Sequence, residues 1–223
     1  MSYHFSPARR TIRILSSLTS ALLLCQPLIA FQSPLSDTAV REAYFLGQRH
    51  DEAVTSFFAK YSKSLPVPRS GPYIAVVRFL TPFAQMVSQS GSFIGNYSAQ
   101  RAEQDHDPKS ETVVIAVDIY FTETYGPFLV GGSQSGSTTS LVPRSSDFWR
   151  DFDFTVGSDS RLLSPRNISG RALYNCSDAG CTLSGATVTL TFAPELFADW
   201  ATIDVVPPEG DAVSINFELN AFR

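Results

Sequence analysis

The stretch Thr187-Val188-Thr189-Leu190-Thr191-Phe192 alternates hydroxyl-bearing and apolar side chains. Successive side chains of a strand point to opposite faces, so this segment buries Val188, Leu190 and Phe192 and leaves three threonines wet. Period two recurs on both sides of it. Val113, Ile115, Val117, Ile119 and Phe121 share one parity, and Phe148, Phe152, Phe154 and Val156 share another. Residues 202–206 and 212–219 flank Pro207-Pro208-Glu209-Gly210-Asp211, a turn composition that makes them a hairpin, with Val213, Ile215, Phe217 and Leu219 facing inward. Roughly six or seven consecutive strands over about 110 residues predict a mainly antiparallel, β-sandwich-like domain over residues 111–223.

Upstream of position 111 the period becomes helical. Ser36-Asp37 can cap a helix through residues 38–46 that Gly47 ends. Asp51 can cap a second, in which Val54, Phe57, Phe58, Tyr61 and Leu65 recur on one face until Pro66 and Pro68 stop it. The pair predicts a helical hairpin. Residues 73–80 (YIAVVRFL) fit a buried strand or a helix equally well. Thr81-Pro82 starts another helix through residues 83–87, ending at Ser88-Gln89-Ser90-Gly91-Ser92, and Asn96 is placed to cap a short one through residues 97–104. The words Ser-Gln-Ser-Gly-Ser return at 133–137, inside a Gly/Ser-rich stretch over residues 131–140, and both copies read as polar linkers. Residues 31–110 are thus a mainly helical N-terminal region, and the fold class is α+β.

Residues 1–30 read as a secretory signal peptide. Arg9, Arg10 and Arg13 precede the apolar run ILSSLTSALLLCQPLIA, which Pro27 breaks three residues before Ala30, the expected cleavage site. Arg9-Arg10 does not continue as a twin-arginine signal does, and Leu24 is bulky for the position before a lipidated cysteine, so membrane attachment is expected only if Cys25 carries lipid. Removal takes away three arginines and no acid. The formal charge of -4 for 223 residues then becomes about -7, from 14 basic against 21 acidic side chains, which speaks against a partner held by phosphate neutralisation. No nucleic-acid partner is expected.

Removal of Cys25 leaves Cys176 and Cys181 as an even pair. They flank Ser177-Asp178-Ala179-Gly180, a turn sequence, which predicts a disulfide stapling a tight hairpin. A zinc site would need further ligands from a chain with only His50 and His106 after residue 30, and each histidine sits in a polar setting that predicts a solvated side chain. No cofactor or metal set is expected.

Catalytic signatures are sparse. Gly131-Gly132-Ser133-Gln134-Ser135 lacks the closing glycine of a nucleophile elbow. Asp118 interrupts an apolar strand, but it shares parity with Tyr120 and Thr122, so a half-exposed face accommodates it. The most site-like group is Asp147-Phe148-Trp149-Arg150-Asp151-Phe152-Asp153. If these residues form a strand, Trp149, Asp151 and Asp153 share the face opposite Phe152 and Phe154, where an indole can stack on a sugar ring beside two carboxylates. The bland alternative has Trp149 covering a sheet edge that the acids keep soluble.

These features lead to an exported, periplasmic or extracellular protein, a non-enzymatic binding or structural module whose partner is a cell-envelope component or a glycan. Two rivals remain. Asp151 and Asp153 would serve a secreted polysaccharide hydrolase if they flanked a cleft. Alternating strands and Phe222 would suit an outer-membrane-associated β protein, although few strands are evident for a barrel.

Overall fold

Each helix begins where a short polar side chain takes over an amide that has no intrahelical partner. The Ser36 hydroxyl accepts from the amide of Ala39, opening α1 (Asp37–Gly47), and the Asp51 carboxylate accepts from Ala53 to open α2 (Glu52–Lys60). Two strands follow, β1 (Ser62–Ser64) and β2 (Tyr73–Leu80). Thr81 accepts from Ala84 at the start of α3 (Pro82–Ser92), and Ser98 accepts from Arg101 ahead of α4 (Ala99–Asp105). The rest is strand: β3 (Val113–Tyr120), β4 (Phe128–Gly131), β5 (Ser140–Pro143), β6 (Asp153–Ser158), β7 (Arg161–Leu163), β8 (Asn167–Ser177), β9 (Gly180–Phe192), β10 (Trp200–Val206) and β11 (Val213–Glu218). This computed structural model describes residues 31–93, 95, 97–131, 140–178 and 180–223. The expected signal peptide, Cys25, Asn96 and the second Ser-Gln-Ser-Gly-Ser copy lie outside the described residues.

All strand pairs among the described residues are antiparallel, and the fold is α+β. One sheet runs β1-β2-β3-β9-β8, a second β11-β10-β6-β7, and β4 with β5 makes a separate ribbon. Residues 73–80, which the sequence left open, are therefore strand, and the larger sheet includes two strands from before position 111. The alternating residues meet in one core. Val117 and Ile119 of β3, Val188 and Leu190 of β9, Ile203 of β10 and Phe217 of β11 belong to a single buried cluster.

Two helix ends depart from expectation. α2 stops at Lys60 instead of running to Leu65, because Ser62, Lys63 and Ser64 pair with Arg78, Val77 and Val76 along the free edge of β2. Backbone groups on that edge need partners, and a serine-rich segment has little helix propensity to oppose them. α3 continues through Ser88-Gln89-Ser90-Gly91-Ser92 rather than ending before it. Its serines satisfy their hydroxyls on the helix itself, Ser90 on the Met86 carbonyl at 2.7 Å and Ser92 on that of Gln89 at 2.7 Å, so the helix accommodates the polar run. α1 packs chiefly on α3 and α4, through Val40, Ala43, Phe83, Val87 and Ala102.

Cys176 and Cys181 are disulfide-bonded, directly opposite one another at the end of the long β8–β9 hairpin, with Ser177 facing Gly180. No helix among the described residues is long and apolar enough to cross a membrane.

Candidate functional site

The segment at Asp147-Phe148-Trp149-Arg150-Asp151 is not a strand. Residues 148–151 form one turn of 3-10 helix, in which the Phe152 amide donates to the Trp149 carbonyl, and β6 begins only at Asp153. The two-residue alternation that would put Trp149, Asp151 and Asp153 on one face is thereby lost. Trp149 turns inward and is only 6% exposed, while Asp151 and Asp153 stay in solvent. Its indole lies over Gly170 of β8, where an added Cβ would come within 2.2 Å of the ring. A glycine there leaves room for the indole, and the Arg150 guanidinium covers the ring at 4.7 Å. The expected stacking platform for a sugar is a core residue.

Asp118 also differs from its sequence reading. It is 8% exposed, and Arg78 of β2 reaches its two carboxylate oxygens at 2.7 and 2.8 Å while the Thr187 hydroxyl donates at 2.8 Å. A buried carboxylate needs such partners, so Asp118 clasps three neighbouring strands. The signal lay in the sequence, since Arg78 and Asp118 are single opposite charges in two apolar runs.

His106, expected in solvent, is tucked against Glu111, with Nε2 at 2.9 Å from Oε1. The same Glu111 oxygen accepts from the Leu35 amide at 2.6 Å, and its other oxygen accepts from the Ser33 hydroxyl at 2.7 Å. The carboxylate thus lies between hydroxyl and imidazole, whereas an activated serine needs the imidazole in the middle. No local pattern marks Glu111, because Ser33 and Leu35 are far away in sequence and His106 lies on the other side of the turn at residues 108–110. Among the described residues, no three His, Cys, Asp or Glu side chains converge as a metal site.

A cleft of about 570 Å³ lies elsewhere, between the loops at residues 65–72 and 207–213. Leu65, Ile74 and Val213 supply apolar lining, Arg69 stands on one loop, and Glu209 and Asp211 stand on the other. Its walls are held by groups outside the lining charges. The Thr122 hydroxyl donates to the Gly71 carbonyl at 2.6 Å, the Gly71 amide donates to Thr124 Oγ1 at 2.9 Å, and the Tyr73 hydroxyl donates to the Leu65 carbonyl at 2.7 Å. Gly71 has φ +80°, and a side chain there would meet the Glu209 carbonyl at 2.6 Å, so the two loops touch backbone to backbone. The sequence marked Pro66 and Pro68 as a stop and residues 207–211 as a turn, but not that two turns remote in sequence face each other.

Near this cleft, Tyr125 is buried to 1% exposure, and burial raises the pKa of its hydroxyl above the ordinary tyrosine value. The Arg144 guanidinium lies 3.7 Å from the centre of its ring. The sequence matches no protein-family model and no curated protein.

Proposed function

We propose that this chain is an exported, non-enzymatic binding or structural module of the cell envelope, and that the cleft between residues 65–72 and 207–213 receives its ligand. The cleft carries this reading. Its volume of about 570 Å³ falls in the range of small-molecule sites, and its walls are braced before any ligand arrives. Arg69 donates hydrogen bonds from one side, Glu209 and Asp211 accept them on the other, and apolar side chains offer a surface for C–H groups. A glycan fragment presents all three kinds of group. Export is supported by the apolar N-terminal segment of the sequence and by the disulfide. We read the two large sheets as packed face to face, sandwich-like, supported by their common core, and consecutive α1 and α2 as an N-terminal hairpin.

The test is a glycan array on the secreted protein, followed by calorimetry. Saturable binding that is lost in Arg69→Ala and Glu209→Gln but kept in Asp151→Asn and Asp153→Asn supports the cleft. Release of shortened glycan that either aspartate variant abolishes would instead make the protein a carboxylate-dependent hydrolase. Sequencing the secreted chain tests export, with Phe31 expected as its first residue.

A further inference from the structure

The sheet β11-β10-β6-β7 has one face on the core and one in solvent. Ala201, Ile203 and Val205 of β10 are fully buried, so Trp200, Thr202, Asp204 and Val206 point the other way. Of the two tryptophans, Trp149 is the covered one and Trp200 the exposed one, at 49%. Register sets Glu218 of β11 directly beside Trp200, and Asn216 beside Thr202 one row further on. The Thr202 hydroxyl donates to Asn216 Oδ1 at 2.7 Å, which orients the amide and leaves its N–H donors for a ligand. On the other side of β10, Gly157 of β6 pairs with Thr202 and so lies diagonal to the indole. Without a side chain it leaves the sheet bare there, and Leu162 of β7, opposite Gly157 and 80% exposed, stands on the far side of the hollow.

Such a face suits a sugar. The C–H side of a pyranose stacks on an indole, and its hydroxyls need donors and acceptors around that indole, which Asn216 and Glu218 supply. The charge pattern narrows the occupant. Asp153, Asp204 and Glu218 point outward, whereas no outward position of the four strands carries a cation. Arg161 of β7 pairs with the buried Ser158 and donates to the Leu196 carbonyl at 3.2 Å. An acidic glycan, an anionic membrane and the same face of a second copy are all repelled, and a chain of uncharged sugars is not.

We infer that this face is a second glycan-binding site, taking a neutral polysaccharide whose rings stack on Trp200 and hydrogen-bond to Asn216 and Glu218. It is separate from the cleft. The cleft begins at Pro207, just past the other end of β10, and so lies a strand length, about 20 Å, from Trp200. Either site can therefore be occupied without the other.

The test uses the full secreted chain carrying Arg69→Ala, so that the cleft does not contribute. It is titrated by calorimetry with cellohexaose, xylohexaose, mannohexaose and N-acetylchitohexaose. The expected result is saturable binding of at least one of them, with a blue shift of tryptophan emission that comes from Trp200, because Trp149 is already buried. Adding Trp200→Ala weakens binding about tenfold or more, and Trp200→Phe, which keeps a ring, restores part of it. Asn216→Ala, a second exposed position, weakens binding as well, and unchanged circular dichroism verifies folding of each variant. Absence of binding in the Arg69→Ala chain overturns the inference, whatever the cleft binds in the parent. Binding that Trp200→Ala leaves intact, or equal affinity for polygalacturonate, overturns it too. A dimer of the parent that Trp200→Ala dissociates would overturn it in favour of a second copy.

Discussion

Glu111 Oε1 lies 2.9 Å from His106 Nε2, with only 5% and 10% of the two side chains in solvent. The approach is close but poorly aligned for a hydrogen bond from the ring nitrogen. The bonds that Glu111 does accept come from the Leu35 amide and the Ser33 hydroxyl, so this carboxylate ties the segment before α1 to the start of β3.

Glu111→Ala leaves that amide without its acceptor, and a buried donor left unpaired costs about 1–3 kcal/mol. The expected outcome is an unfolding free energy lower by that amount in a urea titration, with a correspondingly lower midpoint and faster hydrogen exchange at Leu35. Glu111→Gln retains an acceptor oxygen and loses less. An alanine variant as stable as the parent would show that the segment is held by its apolar contacts alone.

Gly170→Ala sets a methyl group against the Trp149 indole. Overpacking of this kind costs about 1–3 kcal/mol. Of the two tryptophans, Trp149 is 6% exposed and Trp200 49%. The parent spectrum therefore contains a buried, blue-shifted contribution, and Gly170→Ala shifts the emission to the red. Trp200→Phe isolates the signal, and an unshifted spectrum in that background would falsify the placement of the indole over Gly170.

The disulfide closes only a short loop, so replacing both Cys176 and Cys181 by serine is expected to cost about 2 kcal/mol or less. The β8–β9 ladder extends from Cys176↔Cys181 to Asn167↔Thr191, and it persists without the bond. Thermal unfolding of oxidised and reduced protein measures the difference. Loss of all β-sheet signal on reduction would contradict it.

Alkaline pH weakens the fold through its tyrosines. Burial raises the pKa of Tyr61, Tyr97 and Tyr125 above the ordinary value of 10.0. The folded state thus holds these protons more tightly than the unfolded state. This contribution to stability is complete below the unfolded pKa of about 10 and is lost as pH rises through the folded values. Tyrosinate absorbance is expected to rise late for these three groups and to coincide with unfolding. Full ionisation near the ordinary value in the folded protein would refute it.

What the sequence disclosed was local. Ser36, Asp51 and Thr81 cap the helices expected of them because a cap acts within three residues. The alternation around Thr187 to Phe192 identified the core face of β9 for the same reason. The end of α2 at Lys60 was hidden because it depends on pairing with β2, and the turn at Phe148–Asp151 because alternating aromatics resemble a strand. The bonds of Glu111 to Ser33 and Leu35, and the meeting of the two cleft loops, had no local signature, since each joins distant parts of the chain.

The position of β3 also governs what happens while the chain is being made. Almost all of its residues are buried on both faces, and Asp118 meets Thr187 across 69 positions. At roughly 5–20 residues per second, the strand leaves the ribosome several seconds before its second neighbour exists. During that interval an apolar strand has one edge filled by β2 and the other open to any passing chain. Protection of residues 113–120 until the β8–β9 hairpin has formed is thus a matter of kinetics, separate from the stability of the completed sheet.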